Sequence, residues 1–209
     1  MDGDGDVTST PPGGGWYVAV GVPLGRWLDA TDSAERAGAV IRRGEQFAVV
    51  GLEALGVFLS ALTPRRWSDL VAAADEGGVE RPAATVGSLL RDGLLVRFDE
   101  DERANLAALE GLRLQTVGVG LGNDNGDDPE RFVIGDHTLV PLLRCDGLTY
   151  TVWAASDGRP LGEIAGELAR GYSIPTEAIL RHILHTLPQL LSARVAFLDA
   201  APARRPSND

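Results

Sequence analysis

The sequence predicts an α+β protein built from two tandem, related modules, each with three helices and a small β-wing. Three observations predict it. Segments of the first half recur, in the same order, in the second half. Apolar residues fall at helical spacing between short runs of β-type residues. The excess of acid collects in a tail and in a middle segment, outside the modules.

The repeat comes first, because a missed repeat misreads the whole architecture. Val20-Gly21-Val22-Pro23-Leu24-Gly25 returns 97 residues later as Val117-Gly118-Val119-Gly120-Leu121-Gly122, with five of six positions identical. Val40-Ile41 then matches Val133-Ile134, and Trp67-Ser68-Asp69-Leu70 matches Leu161-Gly162-Glu163-Ile164. Finally, Leu94-Leu95-Val96-Arg97-Phe98-Asp99 meets Ala193-Arg194-Val195-Ala196-Phe197 and Asp199. Residues 1–15 read as a disordered acidic tail and 16–100 as the first module. Residues 101–129 read as an acidic linker carrying the first strand of the second module, at about 113–122. Residues 130–199 complete that module, and 200–209 read as a disordered tail.

In the second module, Phe132-Val133-Ile134 is a short β run and Gly135-Asp136 a turn. Thr149 to Ala155 begins a helix that Asp157-Gly158 ends. Leu161, Ile164, Ala165 and Leu168 fall at i, i+3, i+4, i+7, one face of a second helix. Pro175 suits the start of a third, whose stripe is Ile179, Ile183, Leu187, Leu190 and Leu191. Pro188 should kink or end that helix. Arg194 to Leu198 reads as a strand. The first module repeats the order: helix Leu52 to Leu62, helix Trp67 to Ala74, helix Pro82 to Arg91, turn Asp92-Gly93, strand Leu94–Phe98. Helices closed by a two-stranded wing are the order of a winged helix.

Composition removes several function classes. The 209 residues carry 19 basic and 30 acidic groups, a net charge of −11. Every basic residue is arginine, which excludes a lysine phosphate loop and Schiff-base chemistry. Cys145 stands alone, so there is no disulfide framework. Apolar runs fall short of a membrane span, and the acidic N-terminus is no signal peptide; the expected location is cytoplasmic. Gly118, Gly120 and Gly122 lack the following helix of a nucleotide fingerprint and read as a strand end with a tight turn. Asp124, Asn125, Asp127 and Asp128 lack the spacing of a calcium loop and read as a solvated loop.

At this point the second module resembles a known family. The residues are Trp153, Asp157-Gly158, Pro160-Leu161, Glu163-Ile164-Ala165, Glu167-Leu168-Ala169, Tyr172 and Ile174-Pro175. The pattern is similar to the PqqD-like group, the RiPP recognition elements, over about 60 residues. The resemblance implies a non-catalytic element that holds the leader of a ribosomally made peptide precursor and presents it to a maturation enzyme. It implies that the leader adds as a strand to the wing and lies against the third helix. That singles out Arg181, His185, Val195, Ala196 and Phe197, and more weakly Leu94, Leu95 and Val96 of the first module.

Two other binding functions compete. A winged helix can serve as a DNA-binding transcription regulator, but recognition needs cations on phosphates and polar groups on base edges. The third helices offer only Arg181, His182 and His185, or Thr85, Ser88 and Arg91, although Arg42, Arg43, Arg65 and Arg66 could form a local patch. A scaffold subunit of a protein complex, or a homo-oligomer, is the other option. No catalytic constellation emerges. His182 and His185 lack further metal ligands, Glu163 and Glu167 solvate their helix, and Cys145 sits in an apolar stretch. The expectation is a non-enzyme with no metal or cofactor and with a peptide or protein partner.

Overall fold

The computed structural model describes residues 14–27, 38–124 and 128–201. The outer parts of both expected tails and the middle of the Asn-Asp-Gly loop lie outside the described residues. Within them the chain is mixed α and β, with seven helices and four small antiparallel sheets. No described helix is long and apolar enough to cross a membrane.

The first half runs β1 (Trp16–Ala19), β2 (Val22–Trp27), β3 (Gly38–Arg43), β4 (Gln46–Gly51), α1 (Leu52–Ser60), β5 (Arg65–Arg66), α2 (Trp67–Glu76), α3 (Pro82–Arg91) and β6 (Leu95–Phe98). After α4 (Glu102–Glu110), the same order returns. It runs β7 (Leu112–Thr116), β8 (Val119–Asn123), β9 (Arg131–Gly135), β10 (Pro141–Asp146), α5 (Gly147–Ala155), β11 (Asp157–Pro160), α6 (Leu161–Tyr172), α7 (Thr176–Ser192) and β12 (Ala196–Ala200). Each half has a meander, β2–β3–β4 or β8–β9–β10. Each also has a sheet whose first strand is central, β5–β1–β6 or β11–β7–β12. Three helices plus a wing is therefore too small a description of either half, since each adds a complete second sheet.

The repeat extends to hydrogen-bond register. Val22, Pro23 and Gly25 pair with Arg42, Ile41 and Val40, skipping Leu24. Val119, Gly120 and Gly122 pair with Gly135, Ile134 and Val133, skipping Leu121. Gly21 (φ 121°) and Gly118 (φ 108°) make the step from the first strand into the meander. A Cβ there would lie 2.5 Å from the Arg42 carbonyl oxygen or 2.4 Å from that of Gly135. Positive φ and backbone approach together demand glycine at both places.

Three expectations change. The acidic linker contains α4, whose Leu106 and Leu109 face the core. Asp101 caps it by accepting from the Ala104 N–H, and the acids solvate its outer face. Helix α7 continues through Pro188 to Ser192. An interior proline costs about 3 kcal/mol, and full burial of Leu187, Leu190 and Leu191 around it offsets that. The last strand starts two residues later than the sequence match implies. Ala196 pairs with Thr116 as Leu95 pairs with Ala19, so the shared Val-x-Phe of the two segments is not their structural equivalence.

The halves pack as one body. Along β1 and the residue after it, Tyr17 and Ala19 face the first helical core, while Val18 and Val20 face the second, the alternation of a two-sided strand. A polar joint seals the contact. Asp199 of β12 is fully buried and accepts from Gly44 N–H of the β3–β4 turn at 2.7 Å. Its other oxygen accepts from Arg113 Nη2 at 2.6 Å and Nε at 3.2 Å.

Candidate functional site

The residues singled out from sequence do not meet on one surface. Arg181 and His185 are exposed on α7, whereas Ala196–Phe197 begin the strand after it. Arg181 to the end of α7 spans about 16 Å at 1.5 Å per residue. Arg181 is held by two carboxylates, with Nη2 donating to Glu177 at 2.9 Å and Nε to Glu102 of α4. Val195, Leu94 and Leu95 are buried, while Val96 and Phe197 are half-buried.

A docked strand needs unpaired main-chain groups. At β12 the outer edge is already engaged. Gly21 N–H donates to the Leu198 carbonyl at 2.9 Å, and Val20 bridges Leu198 in parallel. Each meander has two edge strands, β2 and β4 in the first and β8 and β10 in the second, and β4 and β10 are the equivalent pair that runs into a helix. Among the described residues, no further strand pairs with the outer side of either.

These two edges differ in chemistry. In β4, Phe47 and Val49 point outward, 66% and 63% exposed, and the strand Gln46-Phe47-Ala48-Val49-Val50-Gly51 has no charge. In β10, Pro141 opens a strand that carries Arg144 and Asp146. Arg144 Nε donates to Asp124 Oδ2 at 2.6 Å, on the strand next to Val133, which is 5% exposed. Proline, charge and a register shift between Pro141 and Leu143 are the usual protections of a sheet edge. Strand β4 has none of them. The sequence signal for β4 is the run Phe47 to Val50. It is too short to separate strand from helix by period, which is why the sequence reading begins its first helix at Leu52 and passes over it.

One polar cluster invites a catalytic reading, and its geometry argues otherwise. Thr149 Oγ1 donates to Asp146 Oδ2 at 2.7 Å and stands 2.9 Å from His182 Nε2. The single hydroxyl proton is spent on the carboxylate, so His182 donates to Thr149. An activated hydroxyl would donate to the histidine instead. Thr149 is also fully buried. Burial raises the Asp146 pKa, but the Thr149 N–H and hydroxyl, with His182, outweigh it and hold the carboxyl below its usual range. The cluster is the N-cap of α5, tied to α7. Burial, helped by Asp146, pushes the neighbouring Cys145 thiol up to about 11, which leaves it protonated and unreactive near neutrality. Among the described residues, no group of three His, Cys, Asp or Glu could hold a metal ion.

No family model, curated protein or solved structure matches the chain.

Proposed function

We propose that this chain is a non-catalytic adaptor, two winged-helix-like modules in tandem, whose first module takes an extended peptide or protein segment as an added strand along β4. The observation that carries the reading is the edge itself. It is six residues long, uncharged and unpaired on its outer side, with Phe47 and Val49 exposed beside it. Main-chain bonds would supply affinity, and pockets beside alternate side chains would supply specificity. A monomer rarely leaves such an edge unprotected without a use for it. Together with the PqqD-like pattern, this favours a leader segment of a ribosomally made precursor, delivered to a maturation enzyme.

Covering of the same face by a folded partner, with the chain as a scaffold subunit, is the second reading. It is favoured by Leu24, exposed on the opposite edge strand β2. A DNA role is less well supported, because Arg181 of α7 is engaged by Glu102 and Glu177.

The test is amide hydrogen exchange of the full chain with synthetic peptides spanning short precursors encoded beside its gene. Binding should slow exchange along residues 46–51, and Phe47→Asp should abolish it. Protection confined to α7 and β12 would sink the reading. So would tight binding of duplex DNA with a steep salt dependence.

A further inference from the structure

Where the two halves meet, an apolar groove of about 620 Å³ opens above the seam at Gly21 and Leu198. Val22 of β2, Leu59 and Leu62 at the end of α1, Leu191 at the end of α7 and Phe197 of β12 line it. Two arginines share that lining, Arg65 of β5 and Arg194 of the turn after α7. Both are exposed. Among the described residues, neither has a carboxylate within ion-pair distance. In a chain of net charge −11, two unpaired cations beside one apolar groove are a local reversal of sign.

Arg194 has a second unusual property. Its φ is 57°, left-handed, where the equivalent turn of the first half has Gly93 at 68°. Helices commonly end in this conformation, and glycine is the usual residue. A side chain there costs about 1–2 kcal/mol. The second half carries that cost and thereby sets a guanidinium at the groove.

We propose that the inter-half groove is a binding site for a small amphipathic carboxylate, an apolar chain of medium length whose carboxylate is held by Arg194 and Arg65. The main chain argues against a peptide strand in this place. Strand β12 turns alternate residues outward, and Leu198 is already bonded to Gly21. Only Ala196 remains on that edge within the groove, too little to hold an added strand. An apolar tail makes no main-chain demands, and its carboxylate complements the two arginines. The site is independent of the β4 edge, so the failure of either proposal leaves the other standing.

The probe is sodium decanoate, titrated into the full chain by calorimetry. It should saturate one site. Decanol, with the tail but no charge, should bind roughly tenfold more weakly or worse. Octanoate should bind about tenfold more weakly than decanoate, for two methylenes less. Arg194→Gly should weaken decanoate about tenfold while melting at or above the temperature of the unsubstituted protein, because glycine suits the left-handed turn. Adding Arg65→Ala should abolish binding. Absence of saturable binding overturns the proposal, as does equal affinity for decanol, or unchanged affinity in the folded Arg194→Gly chain.

Discussion

The two meanders have one backbone plan and opposite surfaces. In β8–β9–β10 the ion pair of Arg144 with Asp124 stands beside a buried Val133. In β2–β3–β4 the paired residues Val40 and Val49 have no such ion pair among the described residues, and Val49 is largely exposed. The helix that follows differs in the same sense. Asp146 caps α5 by accepting from Thr149 N–H at 2.9 Å, whereas Gly51 caps α1 with no side chain. Repetition fixed register and turns in both halves. Side chains then gave β10 a proline and an ion pair and left β4 uncharged. The difference is why the proposed strand-adding edge lies in the first half, although the PqqD-like pattern lies in the second.

The halves form one body, and Asp199 is where their contact breaks most readily. Asp199→Ala removes the acceptor for Gly44 N–H and leaves the Arg113 guanidinium, 13% exposed, without its carboxylate. Stranding one member of a buried pair costs about 3–5 kcal/mol, so urea denaturation should show a loss of that size. A loss below about 1 kcal/mol would mean that the joint is solvated and the halves are less closely coupled.

A swap of edge chemistry sharpens the comparison at smaller cost. Val49→Arg gives β4 the residue that β10 has at the equivalent position, by their pairing with Val40 and Val133. Stability should change by no more than about 0.5 kcal/mol, as at most surface sites. Affinity for a strand-adding peptide should fall about tenfold, the equivalent of about 1.4 kcal/mol. The reciprocal Arg144→Val removes a largely exposed ion pair and should cost at most about 1 kcal/mol. If Val49→Arg leaves peptide affinity unchanged, the open face is not the binding face.

Helices α1, α3, α6 and α7 and their order were legible in sequence because each carries an apolar stripe. Helix α3 begins at Pro82 and ends at Arg91 as its pattern predicts. The glycine step was legible because Gly21 and Gly118 admit no other residue. Helix α4 was hidden because Leu106 and Leu109 are diluted by surrounding acid. Strand β4 was hidden because a short apolar run has no readable period. The candidate site suffered for a different reason. The sequence could nominate Val195–Phe197 as a strand end, but Gly21, far away in the chain, occupies that edge. Whether an edge is open depends on tertiary contacts, and no local pattern records them.

The smallest effect concerns the caps, and pH separates it from the others. Asp146→Ala should cost about 1 kcal/mol at neutral pH, the usual value of a side-chain cap. The folded-state pKa of Asp146 lies below its ordinary value, so the charged cap stabilises above the unfolded pKa of about 3.9. That stability is lost as pH falls through the depressed folded value. The stability gap between the unsubstituted chain and Asp146→Ala should therefore persist from neutrality to about pH 4 and close below it. Gly51→Asp makes the converse test in the first half. Gly51 has the same extended backbone as Asp146, with φ −66° and ψ 160° against −73° and 166°, and open space at its Cβ position. The new aspartate should add a few tenths of a kcal/mol and bring with it the same loss in acid. A gain that persists at low pH would mean that the new side chain acts through something other than a charged cap.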